Sequence, residues 1–288
     1  MICNLCAKNC GAKRDENTAD GFCGMTTKLK IAHYELFSYE EPCISFSKGS
    51  GAIFFSGCSL KCVFCQNYEI STLNKGKEIT VLQLVDIFKE LENAGADHFH
   101  LVSPTHYALQ IAQALEIYRP HIPIIYNCHG YESLKTIEFM SKYIDVFLPD
   151  FKYYDNVIAQ KFSKVGDYFE KTFAAIKKMR ELKTDVFSPD GKILSGVIIR
   201  HLILPLCTDD SIKVLQTIKQ NIPNTKVSLM SQYVPCGEAE NISQINRKIT
   251  KREYNKVLNA FINLGLDGYV QELESASKDF IPKFRFVN

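Results

Sequence analysis

The sequence predicts an α/β fold in which a parallel sheet or barrel of successive βα units follows a small cysteine-rich lobe. From about residue 51, short apolar runs alternate with longer segments of helical periodicity. The first 50 residues show few periodic segments, and seven of the eleven cysteines fall into two tight groups. A chain of 288 residues is long enough for one large barrel-like domain with a small appendage. We therefore expect a metal-binding lobe over residues 1–50 and a barrel over residues 51–288.

The predicted strands are short runs of β-branched and aromatic residues, apolar enough to be buried on both faces of a parallel sheet. Seven such runs lie at 52–57, 99–102, 122–127, 145–150, 196–204, 226–233 and 268–271. Loops that follow such strands carry the functional residues in barrels, so the strand ends indicate where to look for chemistry.

The predicted helices lie between these strands. The best-defined one covers about residues 80–95, where apolar residues recur at helical spacing, Thr80 and Gln83 form a capping box, and Gly95 ends the helix. Further helices are predicted at 106–118, 132–143, 167–183, 209–221 and 250–264. The alternation of strands and helices is that of a parallel α/β sheet.

Composition and charge restrict the possible partners. Lys and Arg total 34 against 32 Asp and Glu, and the formal net charge of +2 argues against a dedicated surface for nucleic acids or anionic membranes. Cysteines occupy the amino-terminal region where a signal peptide would need an apolar core, and no apolar run of about 18 residues occurs. We expect a soluble, cytoplasmic protein that binds neither nucleic acid nor membrane.

Three cysteines directly follow the first predicted strand. Cys58, Cys62 and Cys65 have the spacing C-x3-C-x2-C, which suits an iron-sulfur cluster. A closed cluster would need a fourth nearby thiolate, and the next cysteine, Cys128, lies in a different βα unit. Structural zinc also prefers four closed ligands, so zinc and plain buried cysteines are the weaker alternatives.

This spacing, with Phe64 immediately before the last cysteine, resembles the signature of the radical S-adenosylmethionine (SAM) superfamily. The chain is most similar to homologues of the pyruvate formate-lyase activating enzyme, in the segments "GSGAIFFSGCSLKCVFCQNYEIS", "LVSPTHY", "IPIIYNCHGYES", "DVFLPDFKY", "IIRHLILP" and "VSLMSQY". The resemblance implies a partial (β/α)6 TIM-like barrel of the radical SAM type. It also implies a 4Fe-4S cluster on the three thiolates, with SAM chelating the fourth iron. The implied activity is that of an oxidoreductase that cleaves SAM reductively to a 5′-deoxyadenosyl radical, which abstracts hydrogen from a substrate.

The resemblance further implies a SAM site at the ends of the next strands. Ser103, Pro104 and Thr105 stand where the family has a Gly-Gly-Glu motif that meets the methionyl ammonium, and carbonyls with a threonine hydroxyl could serve the same cation. The alternative is a loop in which Thr105 caps the next helix. Asn127 begins Asn-Cys-His-Gly, in the place of the family's Asp-Thr-Asn-Gly stretch.

Later strands supply the remaining expected contacts. Asp150 and Lys152 match the family's Asp-x-Lys, and residues two apart on a strand share a face, so we expect Lys152 to pair with the SAM carboxylate while Asp150 organises the surrounding charges. A simple salt bridge between the two is the alternative. Arg200 stands in the position of the relatives' carboxylate ligand. Ser231 and Tyr233 share a face and are expected to contact the adenine or the substrate.

The amino-terminal group has four cysteines, Cys3, Cys6, Cys10 and Cys23. Four soft ligands saturate a tetrahedral ion or a closed cluster and leave no iron open for SAM. The site is therefore expected to be structural or to relay electrons. Its spacing does not choose between zinc and an auxiliary 4Fe-4S cluster.

The resulting hypothesis is a radical SAM enzyme supplied with electrons by a low-potential donor such as flavodoxin or ferredoxin. Its substrate is either a glycyl residue of a glycyl radical enzyme or a different protein, peptide or small molecule. The alternative from another class is a non-catalytic iron-sulfur protein for electron transfer or scaffolding, whose cluster spectrum would not change when SAM is added.

Overall fold

A computed structural model of the chain describes residues 2–277 and 284. Within them, ten strands form one sheet. The strands are β1 (Leu29–Phe37), β2 (Ser50–Phe55), β3 (Lys77–Ile79), β4 (Phe99–Val102), β5 (Ile124–Cys128), β6 (Val146–Pro149), β7 (Val186–Phe187), β8 (Ile193–Leu202), β9 (Lys226–Met230) and β10 (Gly268–Val270). The α-helices of the same region are α1 (Tyr68–Ser71), α2 (Val81–Asn93), α3 (Ala108–Ile117), α4 (Leu134–Met140), α5 (Asn156–Ser163), α6 (Tyr168–Leu182), α7 (Thr208–Asn221) and α8 (Lys251–Asn263).

The main path of the sheet runs in the order β10-β9-β8-β6-β5-β4-β2-β1-β3, with β7 paired to β8 off this path. All neighbours from β2 to β10 are parallel, whereas β1 is antiparallel to both β2 and β3. Over the described residues the path has two ends, β10 and β3, so the barrel is partial. The predicted α/β class with a partial barrel and a cysteine-rich amino-terminal segment is confirmed.

Each of the seven predicted strands has a counterpart in the sheet, and only their ends shift. The capping box of α2 is also confirmed, because the Thr80 side chain accepts from the Gln83 amide while the Gln83 side chain accepts from the Thr80 amide. Helices α1 and α5 were not predicted. Strand β1 was not predicted either; it lies before residue 50 and pairs with β2, while the division of the chain at residue 50 stays a prediction.

The strands that carry the site are buried along their whole length, since every residue of β2, β4 and β6 is buried. Helices cover the outside of the sheet and pack pairwise, α2 on α3, α4 on α6 and α7 on α8. Parallel strands that are covered in this way present their carboxyl ends at one mouth of the barrel. The functional residues described next come from the loops at that mouth.

Candidate functional site

The loop after β2 brings the three predicted cluster ligands together. It begins at Gly57, which has a φ of +90°, and a β-carbon there would lie 2.3 Å from Met25 Cγ. Only glycine tolerates both the conformation and the contact. Beyond it Cys58 and Cys62 are buried and Cys65 is half-buried, and all three line one cavity of about 190 Å³.

Each thiol has a hydrogen-bonding neighbour. The Leu60 amide donates to Cys58 Sγ at 3.4 Å, Ser71 Oγ donates to Cys65 Sγ at 3.2 Å, and Cys62 Sγ lies 2.9 Å from Ser163 Oγ. Donors of this kind stabilise ligating thiolates from outside the metal's own coordination shell. The set of three sulfur donors with an open cavity beside them therefore fits an iron-sulfur cluster that keeps one position for another ligand.

Burial raises the pKa of each of these three thiols to about 11. The cysteines consequently keep their protons at neutral pH until a metal binds. Because thiolates are the ligating form, binding of metal at this loop has to release protons.

Five of the seven residues predicted to bind the cofactor line the same cavity, namely Ser103, Asn127, Asp150, Lys152 and Arg200. Pro104 and Thr105 are not among the residues of its described wall. The Thr105 hydroxyl donates to Glu132 Oε1 at 2.8 Å, and it does not cap the helix that follows. Whether these residues contact SAM stays a prediction.

The end of β4 is held in an unusual conformation. Ser103 has a φ of +57°, in the left-handed region that costs energy for residues other than glycine. Its amide donates to the Asn127 carbonyl at 2.9 Å, which ties the ends of β4 and β5 together. Such strained residues occur preferentially at functional sites.

Lys152 and Asp150 form a partly buried ion pair that faces the cavity. Burial opposes the charge of Lys152, but the Asp150 carboxylate prevails and the pKa of Lys152 is raised. The Lys152 amide donates to Tyr168 Oη at 3.0 Å, and that hydroxyl lies 2.9 Å from each of the His129 and Asp150 carbonyl oxygens. One phenol of α6 thus joins the loops after β5 and β6.

Arg200 also faces the cavity, and its guanidinium contacts two carboxylates that the sequence did not reveal as site residues. Arg200 Nη2 lies 3.1 Å from Glu40 Oε2, and Arg200 Nε lies 3.3 Å from Glu41 Oε1. Both acids belong to the segment after β1. A role of Arg200 toward the SAM carboxylate stays a prediction, since the carboxylates that it contacts in the structure are those of the chain itself.

The prediction of which residues at the end of β9 face the cavity was wrong by one position. The strand ends at Met230, and beyond it Ser231 Oγ donates to the Glu272 carbonyl while Tyr233 Oη donates to the Ile245 carbonyl. Gln232, which alternation placed on the opposite face, lines the cavity. The period-two rule holds only within regular strand geometry.

The four amino-terminal cysteines lie around a separate, much smaller cavity of about 20 Å³. Cys3 and Cys23 are buried, Cys6 is half-buried and Cys10 is exposed. Ser59 lines this cavity, and its hydroxyl lies 2.7 Å from Nε2 of His129, which lines the cluster cavity. The two cysteine sites are therefore neighbours, with this hydrogen-bonded pair between them.

Over residues 2–277 and 284, no group of three or more His, Cys, Asp or Glu side chains is arranged as a site for a single metal ion. In the same residues, no helix combines the length and the apolar character that crossing a membrane requires. The cysteines at the two cavities thus provide suitable donor atoms without being arranged around a single metal ion. A metal in the amino-terminal lobe is therefore a proposal.

Comparison with known proteins agrees with this geometry. The sequence profile of the Radical SAM superfamily matches residues 52–218. The uncharacterized protein MJ0674 of Methanocaldococcus jannaschii is 30% identical over 279 residues, which cover 92% of this chain and 75% of that protein.

Among solved structures, SuiB of Streptococcus suis bound to its precursor peptide SuiA has a TM-score of 0.52 and 16% identity. The similarity covers 76% of this chain but only 48% of SuiB, so this chain spans about half the length of that relative. Methylornithine synthase (PylB) has a TM-score of 0.50 and 14% identity, over 80% of this chain and 71% of that one. These likenesses concern the fold, and with the profile match over more than half of the chain they lead to one conclusion: the chain belongs to the radical SAM superfamily.

Proposed function

We propose that this chain is an enzyme that cleaves SAM reductively and removes a hydrogen atom from a substrate. The observation that carries the proposal is that three thiols share one cavity with Lys152, Asp150 and Arg200 at the mouth of the barrel. When bound at Cys58, Cys62 and Cys65, a 4Fe-4S cluster would supply one electron to SAM. The other contributions come from side chains of the protein itself.

The partly buried cation at the site is suited to binding the anionic end of SAM. Lys152 has Asp150 as its single ionic partner in the described residues, and its ammonium has three donors, so donors remain for a ligand carboxylate. Asp150 keeps the ammonium charged and directed into the cavity. A ligand that fills the cavity would displace water from it, which would strengthen these contacts and protect reactive species.

We further propose that Cys3, Cys6, Cys10 and Cys23 bind a second metal centre, either zinc or an auxiliary 4Fe-4S cluster. Their shared cavity of about 20 Å³ supports the proposal, as does the chemistry of four soft donors. Cys10 is exposed and the four are not yet arranged for one ion, so the lobe has to tighten around the metal when it binds. Such a centre would be saturated by the chain.

The electron would come from a low-potential protein such as flavodoxin or ferredoxin. The substrate is open between a glycyl residue of a glycyl radical enzyme, by resemblance to the activating enzymes, and another protein, peptide or small molecule. Binding of a precursor peptide by SuiB supports a peptide substrate, at the level of a shared fold.

The decisive experiment is anaerobic reconstitution followed by iron and sulfide quantitation, then addition of dithionite and SAM with chromatographic detection of 5′-deoxyadenosine. We expect cluster assembly and SAM cleavage. A cluster whose spectrum does not respond to SAM, with no 5′-deoxyadenosine formed, would leave only the electron-transfer or scaffold function. Co-incubation with candidate glycyl radical enzymes tests the finer proposal, since the glycyl doublet in electron paramagnetic resonance appears only if a glycyl residue is the target.

A further inference from the structure

A second cavity, of about 430 Å³, adjoins the cluster cavity. The two share a wall that includes Gln66, Asn67, Asn127, Arg200 and Gln232. Gln66 and Asn67 directly follow the ligand candidate Cys65, so a molecule in the larger cavity lies beside the cluster loop. Its size is that of a small-molecule or side-chain site.

Among the described residues, the wall of this cavity carries more acidic than basic side chains. Its charged residues in that part of the chain are Glu40, Glu41 and Arg200, so two carboxyl groups share one guanidinium. All three side chains are about nine-tenths buried, with 9%, 6% and 11% of their surface exposed respectively. Buried carboxylates in excess of their cations are costly unless a further positive group or hydrogen-bond donor reaches them.

One carboxylate oxygen lacks a partner. Glu41 lines the cavity, and its Oε2 atom, which is buried beneath the wall, has no hydrogen-bond partner among the described residues. An unsatisfied buried acceptor of this kind calls for an explanation, and a bound ligand is one.

The described residues give the two acids no cation besides Arg200. Burial raises the pKa of Glu40, and Asp150 raises it further although Arg200 opposes both effects, so Glu40 is shifted toward its neutral form and Glu41 is left as the acid that pairs with Arg200. His100 lies beneath Glu40, with 3.2 Å between Nδ1 and Oε1, but burial lowers the pKa of His100 to about 3 and it is neutral. Lys152 is paired with Asp150.

We propose that the larger cavity is the substrate site and that it accepts a substrate bearing an ammonium or guanidinium group, which Glu41 binds through Oε2. The assignment rests on the proposed function, because it is the neighbouring cluster that makes this cavity a substrate site. Glu41 would fix the cationic end, so that the carbon that loses hydrogen is held toward the wall shared with the cluster cavity. A charge-assisted hydrogen bond gives both orientation and selectivity.

The test uses four probes of matched size: the N-acetyl amides of lysine, arginine, norleucine and glutamate. Their binding to the anaerobically reconstituted protein with SAM is measured by calorimetry. We expect the lysine and arginine derivatives to bind about tenfold or more tightly than the norleucine derivative, and the glutamate derivative to bind worst. Glu41→Gln should remove the preference for the cationic probes.

The control is Glu181→Gln, the same chemical change in an exposed surface ion pair with Lys178, which should leave the preference intact. The comparison of probes on the unaltered protein does not depend on any variant folding. Equal affinities for the lysine and norleucine derivatives, no binding of either cationic probe, or an undiminished preference in a folded Glu41→Gln protein would each overturn the inference.

SAM cleavage by the same preparation is measured without a probe and separates the two proposals. Cleavage without a preference for cations refutes the cationic substrate alone. A preference for cations without any SAM cleavage refutes the proposed function and leaves a cation-binding cavity.

Discussion

The two cysteine groups of this protein are neighbours with opposite surroundings. Cys58, Cys62 and Cys65 border a cavity of about 190 Å³ that continues into a larger one, whereas the four amino-terminal cysteines border a cavity of about 20 Å³. The first group has room for a ligand besides its metal centre, whereas the cavity beside the second group leaves no comparable room for a further ligand. The number of thiols and the space beside them both indicate that the first group binds a metal centre with a further ligand. They also indicate that the second group saturates its metal centre.

Arg14 beside the amino-terminal cysteines and Lys152 beside the cluster loop are cations that differ in the same way. Arg14 directs its donors to the chain itself: to the carbonyls of Met25, Thr26 and His106 at 2.7–3.0 Å and to Cys3 Sγ at 3.4 Å. Lys152 faces the open cavity with Asp150 as its ionic partner. A guanidinium with five donors suits the bracing of a loop, and a compact ammonium suits the binding of a ligand's charge.

The largest effect is expected when one cysteine of the cluster loop is removed. Cys62→Ala should abolish cluster assembly and reduce 5′-deoxyadenosine formation to background, because two thiolates do not hold the cluster. Iron and sulfide content and product formation are measured together. Cys207→Ala, which removes a buried thiol outside both groups, should retain both; if Cys62→Ala also retained both, the site would be misassigned.

The next largest effect is expected for the four amino-terminal cysteines. Cys3→Ala should lower the content of zinc or iron by one site and reduce the melting temperature, with about 2–4 °C lost for each kcal/mol of stability, because metal binding and folding of a small lobe are coupled. Metal analysis and thermal denaturation measure it, with Cys43→Ala as the buried control. SAM cleavage should persist in a folded Cys3→Ala protein. Complete loss of cleavage with the first cluster intact would mean that the lobe takes part in the chemistry.

Replacement of the cavity's cation should have an intermediate effect. Lys152→Met is expected to weaken SAM binding about ten- to a hundredfold, the range for a lost hydrogen bond to a charged group. Equilibrium binding to the reconstituted protein measures it. Lys178→Met alters a surface ion pair and should change nothing, and unchanged affinity in Lys152→Met would reduce the Asp150 pair to a structural salt bridge.

The smallest expected effect comes from the phenol that joins the loops after β5 and β6. Tyr168→Phe should cost about 1–3 kcal/mol of unfolding free energy, since its buried partners lose a hydrogen bond without gaining access to water. Denaturant titration measures it. Tyr143→Phe removes a hydroxyl that bonds to exposed Glu116 and serves as the control, with a change near zero expected. Equal stabilities of the two variants would show that Tyr168 does not hold the mouth of the barrel.

Much of the cluster cavity could be predicted because local rules govern it. The three cysteines lie on one loop, and Asp150 and Lys152 face the same cavity as the two-residue spacing predicted, although both lie just beyond the end of β6 at Pro149. Parallel strands place their ends together, so a series of strand predictions was enough to bring Ser103, Asn127 and Arg200 to one place.

The missed residues depend on contacts that local rules do not reach. Glu40 meets Arg200 across 160 positions of the chain, and no periodicity links a segment after an antiparallel strand to the end of β8. Gln232 was missed because β9 ends two residues earlier, after which side-chain alternation no longer applies.

The contact between Gly57 and Met25 also has an evolutionary consequence. A side chain at position 57 would collide with Met25 of the amino-terminal segment and would approach His106 Nε2 to 3.2 Å. A smaller residue at position 25 would remove the collision but not the strain of a φ of +90°, so glycine should occupy position 57 in homologous sequences whatever residue stands at position 25.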